Sequence, residues 1–200
     1  MPAPTYERLS FLDTSFLALE TPETHMHVAS VAIFGMGDLA TPEGGLDFDR
    51  IRRHIGARAH LVPRYRQKLA WIPLEQYPVW IDDTHFNLDY HVRHTALPQP
   101  GGEEQLKALA GRLMSQQLDR SKPLWEMWFV EGLSEDRFAL IAKVHHCMID
   151  GVAGVDLMAV LLDLMPTDEP GEPVPWTPRP EPSGAEPVSY THLTLPTTPY

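Results

Sequence analysis

The chain has 200 residues, 43% of them hydrophobic, with one cysteine and a net charge of −11 from 16 basic and 27 acidic side chains. This composition fits a folded globular protein and argues against nucleic acid as a partner. A lone cysteine excludes an internal disulfide framework and fits a reducing compartment. No apolar run approaches the ~20 residues that span a bilayer, and the amino terminus lacks a basic-then-apolar leader pattern. The expectation is a soluble or peripheral protein.

In chain order, His27 to Phe34 reads as a strand closed by Gly35 and Gly37. Phe48, Ile51 and Ile55 recur at helical spacing, with Arg50, Arg52, Arg53 and Arg58 on the other faces. Basic residues continue at Arg64, Arg66 and Lys68. This positive segment is either a solvated helix face or a landing site for a phosphorylated cofactor or an anionic membrane. Pro78-Val79-Trp80-Ile81 and Phe86 to His94 look extended. Leu106, Leu109, Ala110, Leu113, Met114 and Leu118 mark an amphipathic helix, with Glu103 and Glu104 at its amino end. Pro123 stops helical continuation, and Trp125 to Val130 reads as a strand. Arg137 to Val144 is apolar and β-prone, as expected of a buried strand. Asp150 suits the N-cap of an almost wholly apolar helix from Val152 to Met165. Elements of both kinds alternate without internal repeat, so the chain reads as mixed α/β. Prolines at 166, 170, 173, 175, 178, 180, 182 and 187 then make a stiff, extended linker.

Between the last strand and the apolar helix lies His145-His146-Cys147-Met148-Ile149-Asp150-Gly151. Histidine is the side chain most easily set up to take a proton near neutral pH. A strand end ahead of a buried helix is a rigid place to hold one. Adjacent histidines on a strand point to opposite sides, and no Cys/His cluster completes a shell, so no metal site is expected. Cys147, inside the spacer, reads as a small packed residue rather than a nucleophile.

Several blocks together carry a resemblance. Leu9-Ser10-Phe11-Leu12-Asp13-Thr14-Ser15-Phe16-Leu17, His25-Met26-His27-Val28, Asp89-Tyr90-His91-Val92-Arg93, Pro123-Leu124-Trp125-Glu126, the histidine motif and Trp176-Thr177-Pro178-Arg179-Pro180 occur in order. Over about residues 7 to 183 the chain resembles the bacterial wax ester synthase/diacylglycerol acyltransferase family, whose parent superfamily is similar in fold to chloramphenicol acetyltransferase. The resemblance implies a mixed α+β sandwich of two subdomains with the site in a tunnel between them. Residues 1–165 would be the amino-terminal subdomain, 166–187 the interdomain linker, and 188–200 a tail unlike the family and of artefactual origin; the second subdomain is missing.

By the same resemblance, an acyl group passes from acyl-CoA, the co-substrate, to diacylglycerol or a long-chain alcohol, with no bound cofactor or metal. His146 would be the general base, Asp150 would shape the loop and orient the histidine through a salt bridge, Gly151 would permit the close turn, and His145 would be structural. Trp125 and Trp128 would either line the acyl tunnel or pack in the core, and no residues are assigned to coenzyme A. The expected location is the cytoplasm, or the periphery of the inner membrane or lipid droplets, and the truncated chain alone is expected to be inactive. The alternatives are a condensation-type acyltransferase acting on carrier-bound thioesters and a non-catalytic lipid-binding fragment.

Overall fold

The computed structural model describes residues 6–72, 77–149 and 171–181. The chain runs through β1 (Tyr6–Arg8), α1 (Phe11–Leu19), β2 (His27–Gly35), α2 (Phe48–Arg58), β3 (Gln67–Trp71) and β4 (Pro78–Asp82). It continues through α3 (Leu88–His91), β5 (Val92–Ala96), α4 (Glu103–Met114), β6 (Trp125–Leu133) and β7 (Arg137–His145). The larger sheet has the order β2-β7-β6-β5 and the smaller one β1-β4-β3. Among the described strands only β5 and β6 pair in parallel, and α4 is the helical crossover that such a pair needs.

Alternation along β6 and β7 explains why both faces of the larger sheet are covered at its centre. Met127 and Phe129 of β6 and Phe138 and Leu140 of β7 pack with Ile51 and Ile55 of α2. Their neighbours Val130, Ala139 and Ile141 pack with Leu106, Leu109 and Leu113 of α4. Successive side chains leave opposite faces of a strand, so α2 and α4 lie on opposite sides. The result is the mixed α+β sandwich expected of the sequence. A third cluster joins Leu17 of α1 to Leu69 and Trp80 of the smaller sheet and to Cys147. It ties the turn after β7 to the smaller sheet and to α1.

Two expectations change. Phe86 to His94 is not continuously extended. The Asn87 side chain accepts the Asp89 amide and caps the short turn α3, and β5 begins only at Val92. The amphipathic helix ends at Met114 rather than reaching Leu118, which is buried instead beside Leu124 and Cys147. Its last carbonyls are taken by Lys143, whose Nζ donates to Leu113 at 3.0 Å and Gln116 at 2.9 Å. His27 Nε2 donates to Met114 at 2.8 Å and His25 Nε2 to Ser115 at 3.0 Å. Positively polarised groups at a helix carboxyl terminus satisfy its unpaired oxygens.

The basic segment is largely spent inside the chain. Arg52 pairs with Asp89, Arg64 with Glu7 at 2.6 Å, and Lys68 with Glu181 at 3.2 Å. Arg66 is buried, its guanidinium 5.1 Å from the Trp176 ring centroid. Gly171 to Glu181 has no regular structure and lies against the smaller sheet. Trp176 meets Phe86 edge-on at 6.3 Å, and Arg179 grips Asp82 through its amide at 2.9 Å and its guanidinium at 2.8 Å. The helix expected over Val152 to Met165, the outer parts of the linker and the tail 188–200 lie outside the described residues.

Candidate functional site

Strand β7 ends at His145, and the backbone turns at once into a short 3-10 turn, His146–Met148. The turn is capped by a side chain. The Cys147 amide donates to His145 Nδ1 at 3.1 Å, and the Ile149 amide closes onto the His146 carbonyl at 3.2 Å. On either side, the His145 amide donates to the Leu124 carbonyl at 2.9 Å and the His146 amide to the Met26 carbonyl at 2.8 Å. The paired histidines are thereby locked between the loop before β6 and the start of β2.

The two rings have different surroundings. His145 is fully buried, and its acceptor role at Nδ1 requires the ring proton to sit on Nε2. Nε2 faces Glu20 Oε1 at 3.6 Å. Burial pushes the His145 pKa down to about 4, against the opposing pull of Glu20, so the ring is neutral at pH 7. His146 is half-buried, and its ring stacks on Phe16 of α1 with centroids 3.8 Å apart. Its Nδ1 is buried and makes no hydrogen bond. An imidazole with uncommitted hydrogen-bonding capacity, held against an aromatic face, has the properties of a general base.

Glu20, directly after α1, is the carboxylate of this corner. Its Oε2 accepts from Arg120 Nη2 at 2.7 Å, Arg120 Nε at 3.0 Å and Gln117 Nε2 at 2.9 Å. Its Oε1 accepts from the Met26 amide at 3.3 Å. Burial raises the pKa of this carboxyl, but the Gln117 and Arg120 hydrogen bonds outweigh it and hold the group below the usual carboxylate range. Beyond it, buried Lys143 lies 3.7 Å from Glu126. A polar cavity of about 550 Å³ is walled by Arg93, Arg120 and Glu126 but by neither motif histidine, so it is not where His146 would act.

Asp150 and Gly151 lie outside the described residues. Among the described residues no three His, Cys, Asp or Glu side chains gather as a metal site. Cys147 is buried in the third cluster and its thiol pKa is pushed up by burial, which makes it a packed spacer. Trp125 is a core residue, 2% exposed, with its indole N–H on the Tyr65 carbonyl at 2.9 Å. Trp128 is half-buried, with its indole N–H on Glu126 at 3.1 Å and Arg93 over its ring at 4.9 Å. Sequence reasoning missed Glu20, Arg120 and Lys143. A lysine inside the apolar run of β7 was a readable anomaly, since buried lysines are almost always paired. Ser10 and Asp13, a capping pattern that opens α1, were a second readable signal. Glu20 itself carries no local signature.

The family model for the wax ester synthase/diacylglycerol acyltransferase catalytic domain matches residues 9–197. A probable diacylglycerol O-acyltransferase of Mycobacterium tuberculosis (strain ATCC 25618 / H37Rv) is 43% identical over 157 residues, covering 78% of this chain and 56% of that protein. A putative diacylglycerol O-acyltransferase of the same strain is 39% identical over 173 residues, covering 86% of this chain and 34% of that one. Among solved structures, the wax ester synthase/diacylglycerol acyltransferase from Marinobacter aquaeolei VT8 superposes with a TM-score of 0.66 at 30% identity, over 76% of this chain and 37% of that one. The starter condensation domain of rhizomide synthetase gives a TM-score of 0.58 at 14% identity, over 79% and 36%, which is a likeness of fold alone. The chain thus spans from about a third to just over half of the length of the relatives it matches.

Proposed function

Because the chain belongs to the wax ester synthase/diacylglycerol acyltransferase family, we propose that it supplies the base-bearing part of an acyl-CoA-dependent O-acyltransferase. The acceptor is the hydroxyl of a diacylglycerol or a long-chain alcohol. His146 takes the hydroxyl proton as the oxygen attacks the thioester carbonyl. The tetrahedral intermediate then collapses, the carbon–sulfur bond breaks, and the coenzyme A thiolate takes the proton back from the imidazolium. The products are an ester and free coenzyme A, and no acyl-enzyme is needed.

The observation that carries this reading is the contrast between the two motif rings. His145 spends Nδ1 on the Cys147 amide and sets its Nε2 3.6 Å from the Glu20 carboxylate, an electrostatic contact too long for a hydrogen bond, whereas the His146 ring stacks on Phe16 and its buried Nδ1 has no partner. The buried, unpartnered Nδ1 of His146 is where an orienting acceptor belongs, and we assign that role to Asp150, with Gly151 permitting the turn. Nε2 is then left to carry the proton. The substrates are poorly soluble in water, which supports a cytoplasmic protein working at the periphery of the inner membrane or lipid droplets. Among the described residues no helix is long and apolar enough to cross a membrane, while Phe11, Leu12 and Leu19 of α1 are exposed.

The test is His146→Ala in the full-length polypeptide that carries this sequence. Esterification of diacylglycerol from acyl-CoA is expected to fall by roughly 10²- to 10⁴-fold. Unchanged esterification would remove His146 as base and leave a lipid-binding role. The fold shared with condensation domains keeps one second reading in view, a carrier-bound thioester as donor. Faster transfer from an acylated carrier protein than from acyl-CoA would select it.

A further inference from the structure

We infer that Glu20 is a positioning residue for His146, acting through His145 and through the Met26 backbone. The inference rests on the proposed role of His146 as base.

Two routes lead from this one carboxylate to the His146 backbone. In the first, Oε1 faces the Nε2–H of His145 at 3.6 Å. A carboxylate only accepts, so it favours the tautomer with the proton on Nε2. That tautomer leaves Nδ1 free to accept the Cys147 amide at 3.1 Å, the bond that caps the His146–Met148 turn. In the second, the same Oε1 accepts the Met26 amide at 3.3 Å, while the Met26 carbonyl accepts the His146 amide at 2.8 Å. Glu20 therefore biases, through an electrostatic contact, the residue that caps the turn and bonds the backbone to which the turn is stitched. Phe16, against which the His146 ring stacks, sits on the helix that Glu20 terminates.

The carboxylate is built to stay charged. Its side chain is 1% exposed, and three donors from Arg120 and Gln117 converge on Oε2. A charge removed from water in this way is costly unless fully bonded. A carboxylate serving only to neutralise Arg120 would need no contact with the turn. Here its second oxygen is directed wholly toward the Met26 amide and His145.

The experiment uses Glu20→Gln in the full-length polypeptide. The substituted carboxamide must turn its carbonyl oxygen to Arg120 and so present its NH₂ to the Nε2–H of His145. Two donors then oppose each other, and His145 is expected to move its proton to Nδ1, which uncaps the turn. The predicted result is a kcat lower by roughly ten- to a hundred-fold with KM for acyl-CoA unchanged, the size expected of a displaced catalytic group. In ¹⁵N NMR the protonated nitrogen of His145 shifts from Nε2 to Nδ1. Glu20→Asp guards against simple unfolding. It keeps the charge that Arg120 requires but withdraws the carboxylate by about one methylene from His145, and kcat is expected to fall again. Wild-type kcat in either folded variant, or a fall confined to KM, overturns the inference. Full activity of His146→Ala would instead overturn the reading of His146 as base, whatever the Glu20 variants do.

Discussion

His91 and His145 are both buried histidines beside the larger sheet, yet they are held by opposite chemistry. His91 Nδ1 lies 2.8 Å from the Trp125 carbonyl, which can only accept, so its proton sits on Nδ1. The ring is one of four in a stack, with Tyr65 on Trp125 at 4.6 Å, Trp125 on His91 at 4.5 Å and Phe86 on His91 at 5.3 Å. His145 carries its proton on Nε2 and has a carboxylate, an arginine and a backbone amide around it in place of aromatic faces. Burial pushes both pKa values down to about 4. The same titration behaviour thus comes from two environments. One locks a neutral ring into packing, and the other ties it to the turn that carries His146.

The sharpest way to break this contrast is Trp125→Ala. Trp125 is 2% exposed and stacked on both sides, so the loss of stability should be about 3–5 kcal/mol, read from the denaturation midpoint. A loss below about 1 kcal/mol would show that the aromatic stack does not hold the His91 corner. Next comes acid sensitivity. Both folded pKa values lie below the ordinary 6.5. Between pH 6.5 and 4 the unfolded chain therefore binds protons that the folded chain refuses, and stability falls as pH falls, by about 3 kcal/mol per histidine at the limit. His91→Phe should remove about half of that slope and leave the His145 half in place. A folded variant with an unchanged pH profile would show that His91 does not contribute. Glu20 adds a loss at still lower pH, beginning below the ordinary carboxyl value of 4.5 and complete once its lowered folded pKa is crossed.

The smallest effect is expected at the linker. The Arg179 side chain is 44% exposed, so Arg179→Ala should cost no more than about 1 kcal/mol despite its several contacts with Asp82. Proteolysis within 171–181 should nevertheless quicken, because those contacts dock the segment on the smaller sheet. Unaltered cleavage would mean that Trp176 and the Lys68–Glu181 pair suffice to retain it.

Much of the frame was legible in the residues. The apolar, β-prone runs of β6 and β7, the 3.6-residue periods of α2 and α4, and the strand end bearing His145 and His146 all follow from local pattern. The turn at Leu88–His91 was missed because a single capping asparagine overrode β-prone neighbours. The helix end at Met114 was missed because its terminating donors come from β2 and β7.

By itself the sequence determined which residues can enter a core, in what period, and which two histidines stand together at a strand end. Those are properties of neighbours along a chain. Only the tertiary structure decided which histidine was used up in packing and which kept its ring uncommitted. That choice depends on Glu20, whose partner Arg120 lies 100 residues away, and on a backbone amide that selects the tautomer. Hydrogen-bond donors and acceptors act over about 3 Å of space, whatever their separation in sequence.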